Sequence, residues 1–153
     1  MKHEEIRFRR IRHLINAPFI WSLIIPLIII DLWTEIYHQV GFRLCGIPLV
    51  KRSNYIRIDR QKLSYLTFFQ KISCAYCGYA NGVALYIGEI AARTEVYWCG
   101  IMHKKKKGFV PTRYHRDFLK YGDAAGFKKE LKYNYDKAFD KKWKKHIKRD
   151  KKR

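Results

Sequence analysis

The sequence CAYCGYANG occupies residues 74–82, and the sequence CGIMH follows at residues 99–103. Two close pairs of Cys and His, separated by a longer element, are a common arrangement for a four-ligand zinc site. Each pair binds from one turn, and the intervening element brings the two pairs together. The sequence therefore predicts a metal site with three thiolates and one imidazole as ligands: Cys74, Cys77, Cys99 and His103.

The residues around this motif predict two helices joined by a tight turn. Asp59 precedes RQKLSYLTFFQKIS as a helix N-cap would, and that helix leads into Cys74. Gly78 and the Asn81-Gly82 pair favour a turn after the first two cysteines. The next helix, VALYIGEIAARTEVYWC, is too long to close the site alone, so we expect the preceding helix to contribute to its geometry.

Three thiolates and one imidazole suit tetrahedral zinc, and with four protein ligands such a site is structural. An iron–sulfur cluster and free redox-active thiols are the alternatives. Glu89, Arg93 and Glu95 could turn toward a shared pocket, and His115 and Asp117 could extend the site. Solvated surface positions are the more common outcome for such residues. Cys45, among apolar neighbours, is expected to be a buried inert thiol.

The one long apolar run, LINAPFIWSLIIPLIIIDLW, occupies residues 14–33. About 20 apolar residues are enough to cross the hydrocarbon core of a bilayer. It is longer than the core of a secretory signal, and no small-residue cleavage pattern follows it. Pro26 predicts a kink. The sequence therefore predicts a kinked, membrane-embedded segment over residues 14–40.

The topology of this segment stays open because both of its flanks are basic and each favours the cytoplasmic side. A single span with the N-terminus outside, a re-entrant hairpin bent at Pro26 and a helix lying in the membrane interface are the three alternatives. The pattern favours the non-spanning arrangements over the simple span. In all three, the distal domain is expected on the cytoplasmic face of a bacterial inner membrane.

The net charge of +20 indicates an anionic partner, either a membrane surface or nucleic acid. Aromatic side chains recur through the basic C-terminal region, which predicts a basic amphipathic helix. The residues expected at the membrane or at an anion are Trp21, Trp33, Lys104, Lys105, Lys106, Lys107, Lys141, Lys142, Trp143, Lys144 and Lys145.

The sequence as a whole predicts an all-α protein whose small metal-knuckle domain lies between a membrane segment and a basic helix. The expected parts are a basic leader (1–13), the membrane segment (14–40), a connector (41–58), the Cys/His metal-binding helical domain (59–123) and the basic tail helix (124–153).

Four stretches carry a resemblance to a known family: YIRIDRQKLSYL, CAYCGYANG, EIAARTEVYWCGIMH and YHRDFLKYGDAAGF. They resemble a family of small uncharacterised bacterial proteins that have an N-terminal hydrophobic segment. The resemblance covers roughly residues 31–127. This sequence departs from the family pattern at Gly100, where relatives have proline. It implies a bacterial membrane-linked protein in which the three cysteines and His103 act together, and it implies no catalytic residue.

These observations favour a non-enzymatic, membrane-attached module whose zinc site holds helices together and whose basic surface binds anionic lipid or a protein partner. An iron–sulfur or thiol redox component, including an enzyme, is the first alternative. A membrane-tethered nucleic-acid binder is the second. The oligomeric state is not fixed by the sequence.

Overall fold

The computed structural model describes residues 3–112, 114–132 and 144. Four helices account for most of them: α1 (His3–Ser22), α2 (Ile24–Leu44), α3 (Phe68–Trp98) and α4 (Ala124–Lys132). Within these described ranges there is no β-strand, only an isolated parallel bridge between Ile101 and Leu119. The predicted all-α class is confirmed. The chain divides into two units, residues 1–88 and 89–153, and α3 begins in the first and ends in the second.

α1 and α2 form one long helix with a local break at Leu23. Backbone bonds from Leu23 N to Ile20 O (3.3 Å) and from Leu27 N to Leu23 O (3.2 Å) carry the helix through the break. The break lies one turn before Pro26, because proline lacks the N–H that would bond to the carbonyl of residue 22 and its ring crowds that carbonyl. The chain does not reverse here, so the re-entrant hairpin is not the observed arrangement.

The helix over Ile11–Leu44 is long and apolar enough to cross a membrane, and its most apolar window is not buried by the rest of the protein. Its 34 residues extend for about 51 Å, more than the roughly 30 Å of a hydrocarbon core. Trp21 and Trp33 are both exposed. Twelve residues of helix separate them by only about 18 Å, so they do not mark opposite membrane interfaces.

Gly46 follows the C-terminal end of α2, and its φ of +64° is the left-handed conformation that glycine adopts without steric cost. The amide of Gly46 donates to the Arg43 carbonyl, and the amide of Ile47 donates to the Phe42 carbonyl at 2.8 Å. These are the two bonds of a Schellman C-cap, and the accompanying apolar contact is supplied by the buried Phe42 and Ile47. The cap turns residues 47–57 back along the helices.

α3 begins at Phe68 through a capping box that the sequence interpretation missed. The amide of Thr67 donates to Gln70 Oε1 (2.9 Å), and the amide of Gln70 donates to Thr67 Oγ1 (3.4 Å). The helix start expected after Asp59 is wrong: residues 60–62 form one short helical turn, Asp59 makes no capping hydrogen bond, and only residues 68–73 of the expected helix belong to α3.

The tight turn predicted at residues 78–82 is also wrong, because α3 continues through it. A Cβ on Gly78 would lie 2.9 Å from the Arg57 carbonyl oxygen, and a Cβ on Gly82 would lie 2.7 Å from Ile56 Cα. The two glycines are four residues apart and so share one face of the helix. They let the backbone of the returning segment approach α3 closely, which is a packing role for glycine instead of a turn role.

Each unit has its own small core. In the first, the buried apolar residues are Phe42, Ile47, Val50, Val83 and Tyr86; in the second, they are Ile90, Ala92, Val96, Tyr114 and Phe118. α4 begins after Asp123, whose Oδ1 accepts from the amide of Gly126 at 2.9 Å. The remainder of the predicted tail helix lies outside the described residues, apart from Lys144.

Candidate metal site and a buried polar network

Three side chains that can bind a metal converge in the second unit. Glu95 lies on the last turn of α3, His103 lies on the segment beyond it, and His115 begins a short helical turn further along. One ligand atom from each lies within 4.8 Å of the other two. Within the described part of the chain, this is the one group of three or more His, Cys, Asp or Glu side chains with such spacing.

The spacing of the donor atoms is close to what a metal requires. His115 Nε2 lies 3.0 Å from both carboxylate oxygens of Glu95, and His103 Nε2 lies 3.7 Å from Glu95 Oε1. Zinc bonds of 2.0–2.1 Å in a tetrahedral site place neighbouring ligand atoms about 3.3 Å apart. The observed distances from Glu95 to the two histidines bracket that value, and the ligand atoms of the two histidines lie within 4.8 Å of each other.

His115 is held in place by the residue before it. The Tyr114 hydroxyl donates to Glu89 Oε1 at 2.6 Å, and Arg93 Nε donates to the same oxygen at 2.7 Å. Tyr114 and Glu89 are both buried. Glu89 precedes Glu95 by about 1.7 turns of α3, so this bond fixes the Tyr114-His115 pair against the helix that carries the third ligand.

His103 is positioned by the backbone on either side of the Ile101–Leu119 bridge. The amide of Met102 donates to the Leu119 carbonyl (2.8 Å), and the amide of Leu119 donates to the Gly100 carbonyl (2.7 Å). These bonds join the segment carrying His103 to the segment carrying His115. The two imidazole rings are 5.6 Å apart between centroids.

Two phenylalanines border the imidazoles. The Phe109 ring lies 5.2 Å from His103 and stacks on His115 at 6.2 Å, and the Phe118 ring lies 4.9 Å from His115. The side chain of His115 is only 5% exposed, whereas that of His103 is 61% exposed. The cluster therefore has a buried side at His115 and an accessible side at His103.

Two imidazoles and one carboxylate make a set that could hold a divalent metal ion. Zinc accepts these ligands in catalytic sites, and ferrous iron accepts them in oxygenases. Three protein ligands leave at least one coordination position for water or another molecule. The expected closed, four-ligand site is structural, so the observed set differs from it in ligand identity and in its capacity for chemistry.

The four predicted ligands lie on α3 or on the segment that follows it. Cys74 and Cys77 lie within α3, and Cys99 directly follows its last residue. α3 is a continuous helix of 31 residues, about 46 Å long. Of the four, only His103 belongs to the observed cluster, and it joins Glu95 and His115, which sequence reasoning considered but placed on the solvated surface.

The structure describes some of the residues that were predicted to bind a membrane or an anion. Trp21 packs against Tyr76 at 4.9 Å between centroids, and Trp33 is 74% exposed. The lysines of 104–107 are all exposed, and so is Lys144. The remaining predicted residues lie outside the described part of the chain: Lys141, Lys142, Trp143 and Lys145.

The first unit contains a buried polar network that the sequence interpretation did not anticipate. Arg52 donates from both terminal nitrogens to the Asp31 carboxylate, with each bond 2.6 Å long. The Tyr79 hydroxyl donates to the same carboxylate at 2.7 Å. Asp31, on the apolar helix, is buried. A charge in such a position is retained only when it is paired, and here the partners come from the returning segment and from α3.

A second branch of the network fixes the tautomer of the buried His38. The amide of Val50 donates to His38 Nε2 at 2.9 Å, so Nε2 is the unprotonated nitrogen of the neutral ring and Nδ1 carries the hydrogen. His38 Nδ1–H then donates to the Tyr86 hydroxyl oxygen (2.9 Å), and that hydroxyl donates to Glu35 Oε2 (2.7 Å). All the hydrogen bonds run in one direction toward the carboxylate.

The network changes the acid–base properties of its members. The hydrogen bonds that Arg52 donates to Asp31 raise the pKa of Arg52, which therefore stays charged. Burial, together with the bond to Asp31, raises the pKa of Tyr79 to about 12. Burial, with the bond to Glu35, also raises the pKa of Tyr86. Both tyrosines are hydroxyl donors throughout the physiological range, and they join α2 to α3.

Comparisons of this chain with known protein families, with curated proteins and with solved structures find no match to any of them.

Proposed function

We propose that this protein is a membrane-anchored metalloprotein whose metal ion is bound by Glu95, His103 and His115. The observation that carries the proposal is the convergence of these three donors, from three separate stretches of chain, within 4.8 Å. Zinc is the metal we propose, because two imidazoles and one carboxylate are among its established ligand sets. With an open coordination position, such a site can activate water or bind a ligand directly.

The test is the metal content of the detergent-purified protein, measured by elemental analysis for four forms: wild type, Glu95→Gln, His115→Asn and Cys77→Ser. Wild type and Cys77→Ser should hold about one equivalent of metal, and the other two variants should bind it at least 10- to 100-fold more weakly. The Cys77→Ser form is the matched control, because the Cys74, Cys77, Cys99 and His103 site stays a prediction. Metal loss in that form alone would favour the cysteine site and contradict the proposal.

Iron is a second candidate, because the same ligand set is the facial triad of non-haem ferrous enzymes. The proposed protein would then be a redox component. A metal analysis that finds iron, with a visible spectrum that depends on oxidation state, would favour this reading over zinc, which is colourless.

We propose that the Ile11–Leu44 helix anchors the protein in the bacterial inner membrane and that the metal-binding unit lies on the cytoplasmic face. The support is the row of exposed apolar side chains along this helix together with the basic charge that follows it. Signal sequences share these properties, so the intact mass of the membrane-extracted protein is the first measurement. A mass corresponding to loss of the N-terminal residues would contradict the anchor.

The side of the membrane is tested by labelling. Cys99 is exposed and lies in the metal-binding unit, so a form with serine at Cys45, Cys74 and Cys77 presents a single reactive thiol there. A membrane-impermeant maleimide should label this thiol in inverted membrane vesicles and not in intact spheroplasts. The opposite pattern would place the unit on the other face.

A further inference from the structure

The segment after His103 forms a lysine loop, residues 104–107, that begins and ends at the metal cluster. The amide of Phe109 donates to the Lys106 carbonyl (3.2 Å), and Gly108, with a φ of +83°, permits the chain to turn there. The turn brings the Phe109 ring against His103 at 5.2 Å. Both ends of the lysine loop therefore meet at the accessible side of the cluster.

This closure limits how far the four lysines can lie from the metal ligands. Each lysine of the loop is at most three positions from the nearer of His103 and Phe109. A fully extended chain spans about 3.6 Å per residue, so each lysine Cα lies within about 11 Å of one of these two residues. Since the ammonium group sits on a flexible four-carbon side chain, the lysines can place charge at or near the metal position.

The segment that carries His103 has charges of one sign. Residues 99–112 contain no Asp or Glu, and all four lysines are exposed. A divalent ion bound by Glu95 and two neutral imidazoles keeps a net positive charge of one. An ion with an open coordination position, on a segment that carries four exposed ammonium groups, attracts an anion.

Resting on the proposed metal site, we infer that the open position binds a phosphate group, with the lysine loop neutralising the remaining charge. A phosphate offers one oxygen to the metal and keeps others for ammonium groups, which are common phosphate partners. Chloride has no oxygen to share in this way, and a simple carboxylate has only two oxygens. The phosphate can belong to a soluble phosphomonoester or to a lipid headgroup, since both present the same terminal group.

The experiment uses the full-length protein in neutral detergent, loaded with Co²⁺ in place of the native metal. The Co²⁺ absorption spectrum is followed while inorganic phosphate is added. The comparison forms are a variant with glutamine at Lys104, Lys105, Lys106 and Lys107, and a control variant with glutamine at the exposed Lys128 and Lys129 of α4. Wild type and the control should show the same phosphate-dependent spectral change. The four-glutamine variant should keep Co²⁺ and need about tenfold more phosphate.

A second arm separates the two sources of phosphate. The Co²⁺-loaded protein is reconstituted into phosphatidylcholine vesicles with or without phosphatidic acid. A spectral change caused by phosphatidic acid, with inorganic phosphate unable to add to it, assigns the site to a lipid headgroup. A change caused only by inorganic phosphate assigns it to a soluble ligand.

The failures of the two proposals are distinguishable. If Co²⁺ binds and neither phosphate source alters its spectrum, the phosphate inference is wrong and the metal site stands. If the four-glutamine variant responds to phosphate as wild type does, the lysine loop has no part in binding. If Co²⁺ does not bind, the proposed metal site fails and the inference fails with it.

Discussion

The Arg52–Asp31 pair is the contact whose removal should cost this fold most. Arg52→Met keeps much of the side-chain length and removes both 2.6 Å hydrogen bonds to Asp31 as well as the 3.7 Å ion pair with Glu35. The Asp31 side chain is 7% exposed, so its carboxylate would be left buried with only the Tyr79 hydroxyl as a described partner. Breaking a buried ion pair costs about 3–5 kcal/mol.

The expected cost here is smaller, because the Arg52 side chain is 38% exposed and water can partly replace it. We expect a loss of about 2–3 kcal/mol in the free energy of unfolding, equivalent to a Tm lowered by roughly 5–10 °C in a chain of this size. Thermal unfolding in detergent, followed by far-ultraviolet circular dichroism, measures it. Arg43→Met is the matched control, since Arg43 is exposed on the same helix that carries Asp31.

Two further variants separate charge from geometry. Arg52→Lys keeps the positive charge and loses the two-pronged guanidinium contact, so its Tm should lie between those of wild type and Arg52→Met. Adding Asp31→Asn to Arg52→Met removes the uncompensated charge and should recover part of the loss. If Arg52→Met unfolds at the same temperature as Arg43→Met, the pair does not stabilise the fold and the reasoning is refuted.

Two other predictions concern α3. Because the pKa of Tyr79 is raised to about 12 in the folded protein, its contribution to stability is intact below pH 10 and is lost between pH 10 and 12. Tyr79→Phe should flatten the stability profile there by about 2 kcal/mol, and an unchanged alkaline slope would contradict the assignment. Gly82→Ala places a Cβ 2.7 Å from Ile56 Cα and should destabilise by about 1–3 kcal/mol. Gly88→Ala, which meets nothing within 4 Å, should instead stabilise by up to about 1 kcal/mol, so equal shifts in Tm would refute the packing role of Gly82.

The apolar helix and the all-α class could be predicted because they depend on composition and on local hydrophobic pattern. The start of α3 could have been predicted too, since Thr67 and Gln70 have the spacing of a capping box. Gly78, Asn81 and Gly82 instead indicated a turn, because such residues are common in turns and unfavourable inside helices. The returning segment reverses this preference by packing its backbone against the two glycines.

The candidate metal cluster was only partly predictable. The proximity of Cys99 and His103 in sequence suggested a ligand pair, and His103 is indeed one of the three clustered donors. Glu95 and His115 are twenty residues apart, and nothing local to either shows that they meet. That contact depends on Tyr114 docking on Glu89 and on the backbone bridge at Leu119, which are both long-range interactions.

The sequence by itself determined that this chain is helical, strongly basic and equipped with an exposed apolar helix, because these properties are sums over neighbouring residues. The tertiary structure alone decided which polar groups meet. It paired Asp31 with Arg52, gave His38 its tautomer through Val50, and brought Glu95 and His115 close to His103. The physical reason is that a hydrogen bond or a metal site requires atoms within a few ångströms, and only the folded path of the backbone sets such distances between residues far apart in sequence.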